Sequence, residues 1–228
     1  MKSPVRVALI GAKGRMGQTI LDLAKNNPKI GIVAQCDLGD SIAAATKDCD
    51  VAIDFSNAGS IEEVCRAVAQ NKKALVIGTT GHSAEQRQLI EKTAKSLPIV
   101  FASNFSVGVN ALFALAHRAA EIVGAEFKPE IVETHHKKKK DAPSGTAKTL
   151  REILKSELKI DIPIESIREG DVVGEHTVTF VGPGEQLELT HRAGSREIFA
   201  RGALRAAEWI VGKSPGLYSM RDVLGISR

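Results

Sequence analysis

The sequence predicts an α/β fold in two parts: a parallel, doubly wound sheet, then an α+β domain with a mixed sheet. Three observations carry this. Short β-prone runs alternate with helical patterns as far as residue 102. A glycine-rich turn, Gly-Ala-Lys-Gly-Arg-Met-Gly from Gly11 to Gly17, joins the first run to the first helix. Beyond residue 104 the alternation stops and a hairpin signal appears.

Val5 to Ile10 is a continuous β-prone run, as expected of a buried parallel strand. The turn glycines follow, then a helix over about Met16 to Lys25, closed by Asn26, Asn27 and Pro28. Ile30 to Cys36 gives a second strand and Val51 to Phe55 a third. A helix over Ser60 to Gln70 and a strand over Ala74 to Ile77 come next. Ser83 to Leu97 reads as a helix with Ser83 as its N-cap and Gln86 at the capping-box position. Ile99 to Ala102 is a fifth strand. In the second half, Val107 to Val123 is a long helix, Lys128 to Thr134 a strand and Thr146 to Leu158 a helix. Thr177 to Val181 and Gln186 to Thr190 are strands split by Gly-Pro-Gly-Glu, and Phe199 to Val211 is an alanine-rich helix. The expected domains are 1–104 with 203–228, and 105–202.

The chain has 228 residues, enough for two modest domains with real cores. Aromatic residues make up only 4%, so those cores must be aliphatic. The net charge of +4 is mildly basic and says little alone, because one lysine run, Lys137 to Lys140, supplies the whole excess. Cys36, Cys49 and Cys65 form no C-x-x-C pair and read as free thiols of a reducing cytoplasm. No apolar run approaches the roughly 20 residues of a membrane helix, and the first is too short for a secretory leader. A cytoplasmic protein without a membrane partner is expected.

The turn after the first strand is the pattern of a Rossmann-like dinucleotide site. Gly11 permits the tight turn, Gly14 lets backbone amides approach a pyrophosphate, and Gly17 allows close helix packing. The N-terminus of the helix, around Arg15 and Met16, supplies the positive end of its dipole. The spacing is G-x-x-G-x-x-G rather than G-x-G-x-x-G. Asp37 ends the second strand at about the 20-residue distance where a carboxylate holds the adenosine ribose. Asp37, followed by Leu38 instead of an arginine, favours NADH; Lys13 in the turn leaves NADPH open.

Glu133 to Ala147 reads E-T-H-H-K-K-K-K-D-A-P-S-G-T-A. His135 and His136 sit where a strand gives way to a loop, and successive strand residues face opposite ways. One can therefore address a reacting carbon while the other binds. Four ammonium groups in a row repel one another, so the most buried gives up its proton more readily. Ser144-Gly145-Thr146 starts a helix, and its bare amides suit a carboxylate. A metal site would want a third ligand at helical spacing, which is missing. A nucleic-acid patch would want interleaved aromatics, also missing.

With these motifs the chain resembles the 4-hydroxy-tetrahydrodipicolinate reductase (dihydrodipicolinate reductase) family over nearly its whole length. The matching blocks are the Gly11–Gly17 loop, Asp54-Phe55-Ser56, Gly78-Thr79-Thr80-Gly81, Ala102 to Asn110, the H-H-x-x-K-x-D-A-P-S-G-T-A run and Gly216 to Gly225. The resemblance implies a nicotinamide-dependent reduction of a small cyclic dicarboxylic imine in the diaminopimelate route to lysine. It implies His135 as the proton donor and acceptor and Lys139 as a second proton donor. His136, Gly145 and Thr146 match substrate-binding positions. Gly11, Ala12, Lys13, Gly14, Arg15, Met16, Gly17 and Asp37 match cofactor contacts. Gly78, Thr79, Thr80, Ala102, Ser103, Asn104 and Phe105 match the loops around the nicotinamide. It further implies a homotetramer built on the second domain's sheet, with no metal and no nucleic acid. The stretch from Asp37 to Val51 is shorter than the family pattern, which carries an extra helix there. The alternative is another two-domain NAD(P)-dependent dehydrogenase acting on an amino acid or a sugar.

Overall fold

The computed structural model describes residues 3–226. They form two compact units, one of the residues up to Phe105 with those from Glu197 on, the other of Ser106–Arg196. The first runs β1 (Val5–Ile10), α1 (Arg15–Ala24), β2 (Ile30–Cys36), α2 (Ile42–Ala45), β3 (Val51–Asp54), α3 (Ile61–Asn71), β4 (Ala74–Ile77), α4 (Ala84–Ala94) and β5 (Pro98–Phe101). The second contains α5 (Val107–Val123), β6 (Lys128–His135), α6 (Gly145–Leu158), β7 (Ile164–Arg168), β8 (Gly174–Gly182) and β9 (Glu185–Ala193). The chain then returns to the first unit with α7 (Glu197–Ile210), β10 (Gly216–Tyr218) and α8 (Met220–Leu224).

The first unit holds the parallel sheet that the sequence predicts, in the order β10-β5-β4-β3-β1-β2. β3 and β4 are buried at every position; β4 is apolar throughout for that reason, and β3 is apolar up to Asp54 at its end. Ile20 and Ala24 of α1 join Ala200, Ala203, Ala207 and Ile210 of α7 in one core, and Ile42, Val64, Val68 and Ile90 of α2, α3 and α4 fill a second. Gly202 allows α7 a close approach: a Cβ there would lie 1.8 Å from the Phe105 carbonyl oxygen. α7 belongs whole to this unit, so the return expected at residue 203 begins at Glu197. The strand order reverses between β1 and β3, which opens a crevice at the carboxyl ends of those two strands.

The second unit holds the expected mixed sheet, ordered β7-β6-β8-β9, with β6 and β7 parallel and the other pairs antiparallel. α5 and α6 cover one face, where Leu112, Ala116, Leu150 and Leu154 pack on Ile131, Val178 and Phe180. Register sets the functional geometry: Glu133 lies opposite His176, and His135 opposite Arg168.

Three elements depart from the sequence reading. β7 mixes Glu165, Ser166 and Arg168 with two isoleucines and is mostly half-buried, so it shows no period. β10 has three residues, too few for a pattern. The shortened stretch after Asp37 still makes one helical turn, α2, whose N-cap Ser41 accepts a hydrogen bond from the Ala44 amide. Among the described residues, no helix is long and apolar enough to cross a membrane.

Candidate active site

In the first unit the sequence-predicted cofactor residues lie on loops leaving the carboxyl ends of β1, β2, β4 and β5, with Arg15, Met16 and Gly17 in the first turn of α1. Gly11 has φ +82°, a conformation open to glycine, and a Cβ there would meet the Phe55 carbonyl oxygen at 2.6 Å. Gly17 packs on the turn itself rather than on a strand, because a Cβ would lie 2.2 Å from the Gly11 oxygen. Gly14 is the N-cap of α1, and its own amide donates to the Gly11 oxygen at 3.1 Å. The first backbone bond of α1 runs from the Gln18 amide to the Gly14 oxygen, so Arg15, Met16 and Gly17 carry the orphan donors of this helix start. A pyrophosphate fits there. Lys13 and Arg15 are exposed at the turn, and Ala12 is buried.

Asp37 does two jobs. Its carboxylate accepts the Lys13 amide at 2.7 Å and the Leu38 amide at 2.9 Å, which hold its pKa below the usual range. It also lines a cleft of about 240 Å³ with Gly11, Gly14, Asp40, Phe55 and Glu63. Three carboxylates thus border this cleft, and Leu38, next to Asp37, is 95% exposed.

Asp54 ends β3 fully buried and joins the next loops. Its side chain accepts the Thr79 hydroxyl at 3.0 Å and the Ser56 amide at 3.0 Å, while its carbonyl accepts the Gly78 amide at 2.9 Å. Burial pushes the Asp54 carboxyl up, against the pull of its hydroxyl and amide donors. Thr80 is exposed beside them. The Phe55 ring leaves no room for a Cβ at Gly78, and it lies 5.9 Å from the Phe105 ring. Ala102 and Asn104 are half-buried and Ser103 is exposed between them. Asp54 and Phe55 therefore brace the loops of Gly78–Thr80 and Ala102–Phe105, a role the sequence showed only as part of a matching block.

In the second unit His135 is the last residue of β6 and 8% exposed. Its Nδ1 is hydrogen-bonded to Oε2 of Glu133, which is fully buried on the same strand face. The other carboxylate oxygen, Oε1, accepts Arg168 Nη2 at 2.8 Å and the Ser144 amide at 3.2 Å. Arg168 also donates to the Asp141 carbonyl at 2.7 Å, and the Asp141 carboxylate holds Lys139 Nζ at 2.8 and 2.9 Å. Asp141 thus joins Lys139, through its carboxylate, to the Arg168–Glu133–His135 set, through its carbonyl. His136 falls after the strand, half-buried, with its amide on the Val172 carbonyl at 2.7 Å. The strand therefore ends between the two histidines, with His135 its last residue and His136 the first of the loop.

Burial pushes the Glu133 carboxyl up, yet its bonds to Arg168 and His135 leave it below the usual carboxylate range. Burial lowers the His135 pKa, with Glu133 opposing. His176 of β8 stacks edge-on against His135 at 5.1 Å, and burial drives its pKa down to about 4. Its Nε2 meets Ser144 Oγ at 3.0 Å. That Oγ also accepts the Ala147 amide, making Ser144 the N-cap of α6. Nothing lies within 4 Å of a Cβ built at Gly145, and Thr146 is half-buried next to it. The start of α6 contains no acidic residue, as an anion seat requires.

Glu133, His135 and His176 offer ligand atoms within 4.8 Å of one another. The Glu133 carboxylate is already engaged by a guanidinium, an amide and an imidazole.

Comparison with known proteins agrees with both halves. Residues 5–105 match the family model described as dihydrodipicolinate reductase, N-terminus, and residues 108–224 the model for its C-terminus. The chain belongs to the dihydrodipicolinate reductase family. A 4-hydroxy-tetrahydrodipicolinate reductase of Akkermansia muciniphila is 46% identical over 244 residues, covering 98% of this chain and 99% of that one. The same-named protein of Geobacter metallireducens is 41% identical over 264 residues, covering 97% and 99%. These alignments are longer than the chain's 228 residues, so the relatives carry insertions that it lacks. A solved dihydrodipicolinate reductase from Paenisporosarcina sp. TG-14, with dipicolinate bound, superposes with TM-score 0.84 at 25% identity, covering 98% and 100%. A DAP dehydrogenase of C. glutamicum shares the fold alone, at TM-score 0.61 and 15% identity. As a dihydrodipicolinate reductase family member, the chain is an oxidoreductase with a nicotinamide cofactor.

Proposed function

We propose that the chain reduces 4-hydroxy-tetrahydrodipicolinate to tetrahydrodipicolinate in the diaminopimelate route to lysine, with His135 as proton donor. The observation that carries the reading is the buried imidazole–carboxylate–guanidinium set tied through Glu133 to the N-cap of α6. It puts a proton-transfer group and an anion seat in one piece of structure, which is what a dicarboxylic imine demands.

The nicotinamide supplies hydride when bound, held by the Gly11–Gly17 turn, Asp37 and the loops of Gly78–Thr80 and Ala102–Phe105. The protein's own work is orientation and proton transfer. The α6 start at Gly145 and Thr146, with His136 and Lys139, pairs the substrate carboxylates. Loss of the 4-hydroxyl as water leaves a conjugated imine. Once hydride has reached the carbon that carried the hydroxyl, the enamine formed takes a proton at the neighbouring carbon, from His135 or Lys139.

Asp37, Asp40 and Glu63 favour NADH, because a ribose 2′-phosphate would enter a cleft bordered by carboxylates. The face of the second unit's sheet opposite α5 and α6 carries Val132, Thr177, Thr179 and Val181; it is the surface on which a homotetramer would be built. The buried free thiols suit a cytoplasmic enzyme. The reading needs neither nucleic acid nor membrane. The test is steady-state kinetics with freshly generated substrate and each cofactor in parallel. Substrate-dependent oxidation with a higher kcat/KM for NADH is expected. No oxidation with either removes the function, and a higher value for NADPH reverses the cofactor assignment.

A further inference from the structure

We infer that Glu133 is a positioning residue: its carboxylate fixes the proton of neutral His135 on Nδ1 and reserves Nε2 for delivery of the catalytic proton. This deepens, and rests on, the reading of His135 as proton donor.

The argument is one of donor counting. Oε1 of Glu133 accepts two donors, Arg168 Nη2 at 2.8 Å and the Ser144 amide at 3.2 Å. A carboxylate beside a guanidinium is ionised, so Oε2 accepts, and His135 Nδ1 must donate to it. Neutral His135 therefore has a bare lone pair on Nε2, the nitrogen beside the small residue Gly174. Protonation then occurs at Nε2, and the imidazolium formed sits against a fixed negative charge. Delivering that proton returns His135 to the Nδ1–H form, so the cycle closes without a rotation of the ring. The other groups facing His135 are Arg168 from β7, His176 from β8, and Lys139 with Asp141 from the turn before α6. Only Glu133 makes a hydrogen bond to the imidazole among the described residues, so it alone selects the tautomer.

Glu133→Gln tests this with almost no change of shape. The amide oxygen must stay at the Oε1 place to satisfy the two donors there. The NH₂ group then points at His135 Nδ1, which has to become an acceptor. Neutral His135 is forced into the Nε2–H tautomer, and the imidazolium is opposed by two donors facing each other. Carboxylate-to-amide replacement beside a catalytic histidine can cost about 10⁴-fold in kcat. Here kcat at pH 7 should fall roughly 10²- to 10⁴-fold, with KM for NADH unchanged. The limb on which kcat declines with rising pH should move to lower pH.

The deciding measurement is the ¹⁵N spectrum of the imidazoles, with His135 assigned by loss of its signals in His135→Gln. In the unaltered protein at high pH, His135 should show a protonated Nδ1 and a bare Nε2; in Glu133→Gln the two should exchange. A protonated Nε2 in the unaltered protein overturns the inference, even if the variant fails to fold. An unshifted pH limb with unchanged tautomer in a folded Glu133→Gln also overturns it. A near-normal kcat in His135→Gln would remove His135 as proton donor instead, and the spectrum would still decide what Glu133 does.

Discussion

Lowering the pH from 7 to 5 should loosen the second unit's sheet, and His176 should account for a defined share of the loss. The residue is 4% exposed, and burial holds its folded pKa at about 4, against an ordinary value of 6.5. His135, His191 and Lys139 add to that depression and Glu133 opposes it. The folded pKa lies below the unfolded one, so the unfolded chain takes up the proton first as pH falls. Stability from this group is therefore complete above about pH 6.5 and lost as the pH drops toward 4. The full gap corresponds to about 3 kcal/mol, of which about 2 kcal/mol is gone by pH 5. Native-state hydrogen exchange at the β6 and β8 amides reads the local opening free energy at both pH values. The unaltered protein should lose about 2 kcal/mol more than His176→Gln between pH 7 and pH 5. Taking the difference cancels most contributions of the carboxylates, which titrate in both proteins. Equal losses in the two would show that His176 is protonated in the fold at pH 5, and the burial argument would fail.

Lys139→Ala should lower kcat by roughly 10²-fold and raise KM for the dicarboxylate, leaving KM for NADH unchanged; a rise in KM alone in steady-state kinetics would make Lys139 a binding residue only. Gly17→Ala places a Cβ 2.2 Å from the Gly11 oxygen and 2.6 Å from that of Ala12. Backbone cannot give way cheaply, so thermal melting should show a loss of about 1–3 kcal/mol. Gly14→Ala meets only the Gly11 oxygen, at 3.3 Å, and should melt near the unaltered protein while binding NADH more weakly in a fluorescence titration. Equal melting of the two variants would refute the packing role given to Gly17.

The fold was legible where burial writes a local pattern and illegible where it does not. β1, β3 and β4 are enclosed by helices and appear as largely apolar runs, whereas β7 and β10 are held by pairing that leaves no period in their half-buried and exposed positions. The site divides the same way. His135, Lys139 and Gly145 stand in one segment, the H-H-x-x-K-x-D-A-P-S-G-T-A run that carries the family resemblance. Arg168 and His176 reach His135 only through the registers of β7 and β8, and no local signal carries a register. Glu133 is the instructive case. It stands two residues before His135, and on a strand that spacing puts both side chains on one face. A carboxylate at that place, in a strand that ends at a buried histidine, is buried with it, and a buried carboxylate has to find donors. The imidazole and Arg168 are those donors, so the demand of one acid for partners is what gives the other residue its tautomer.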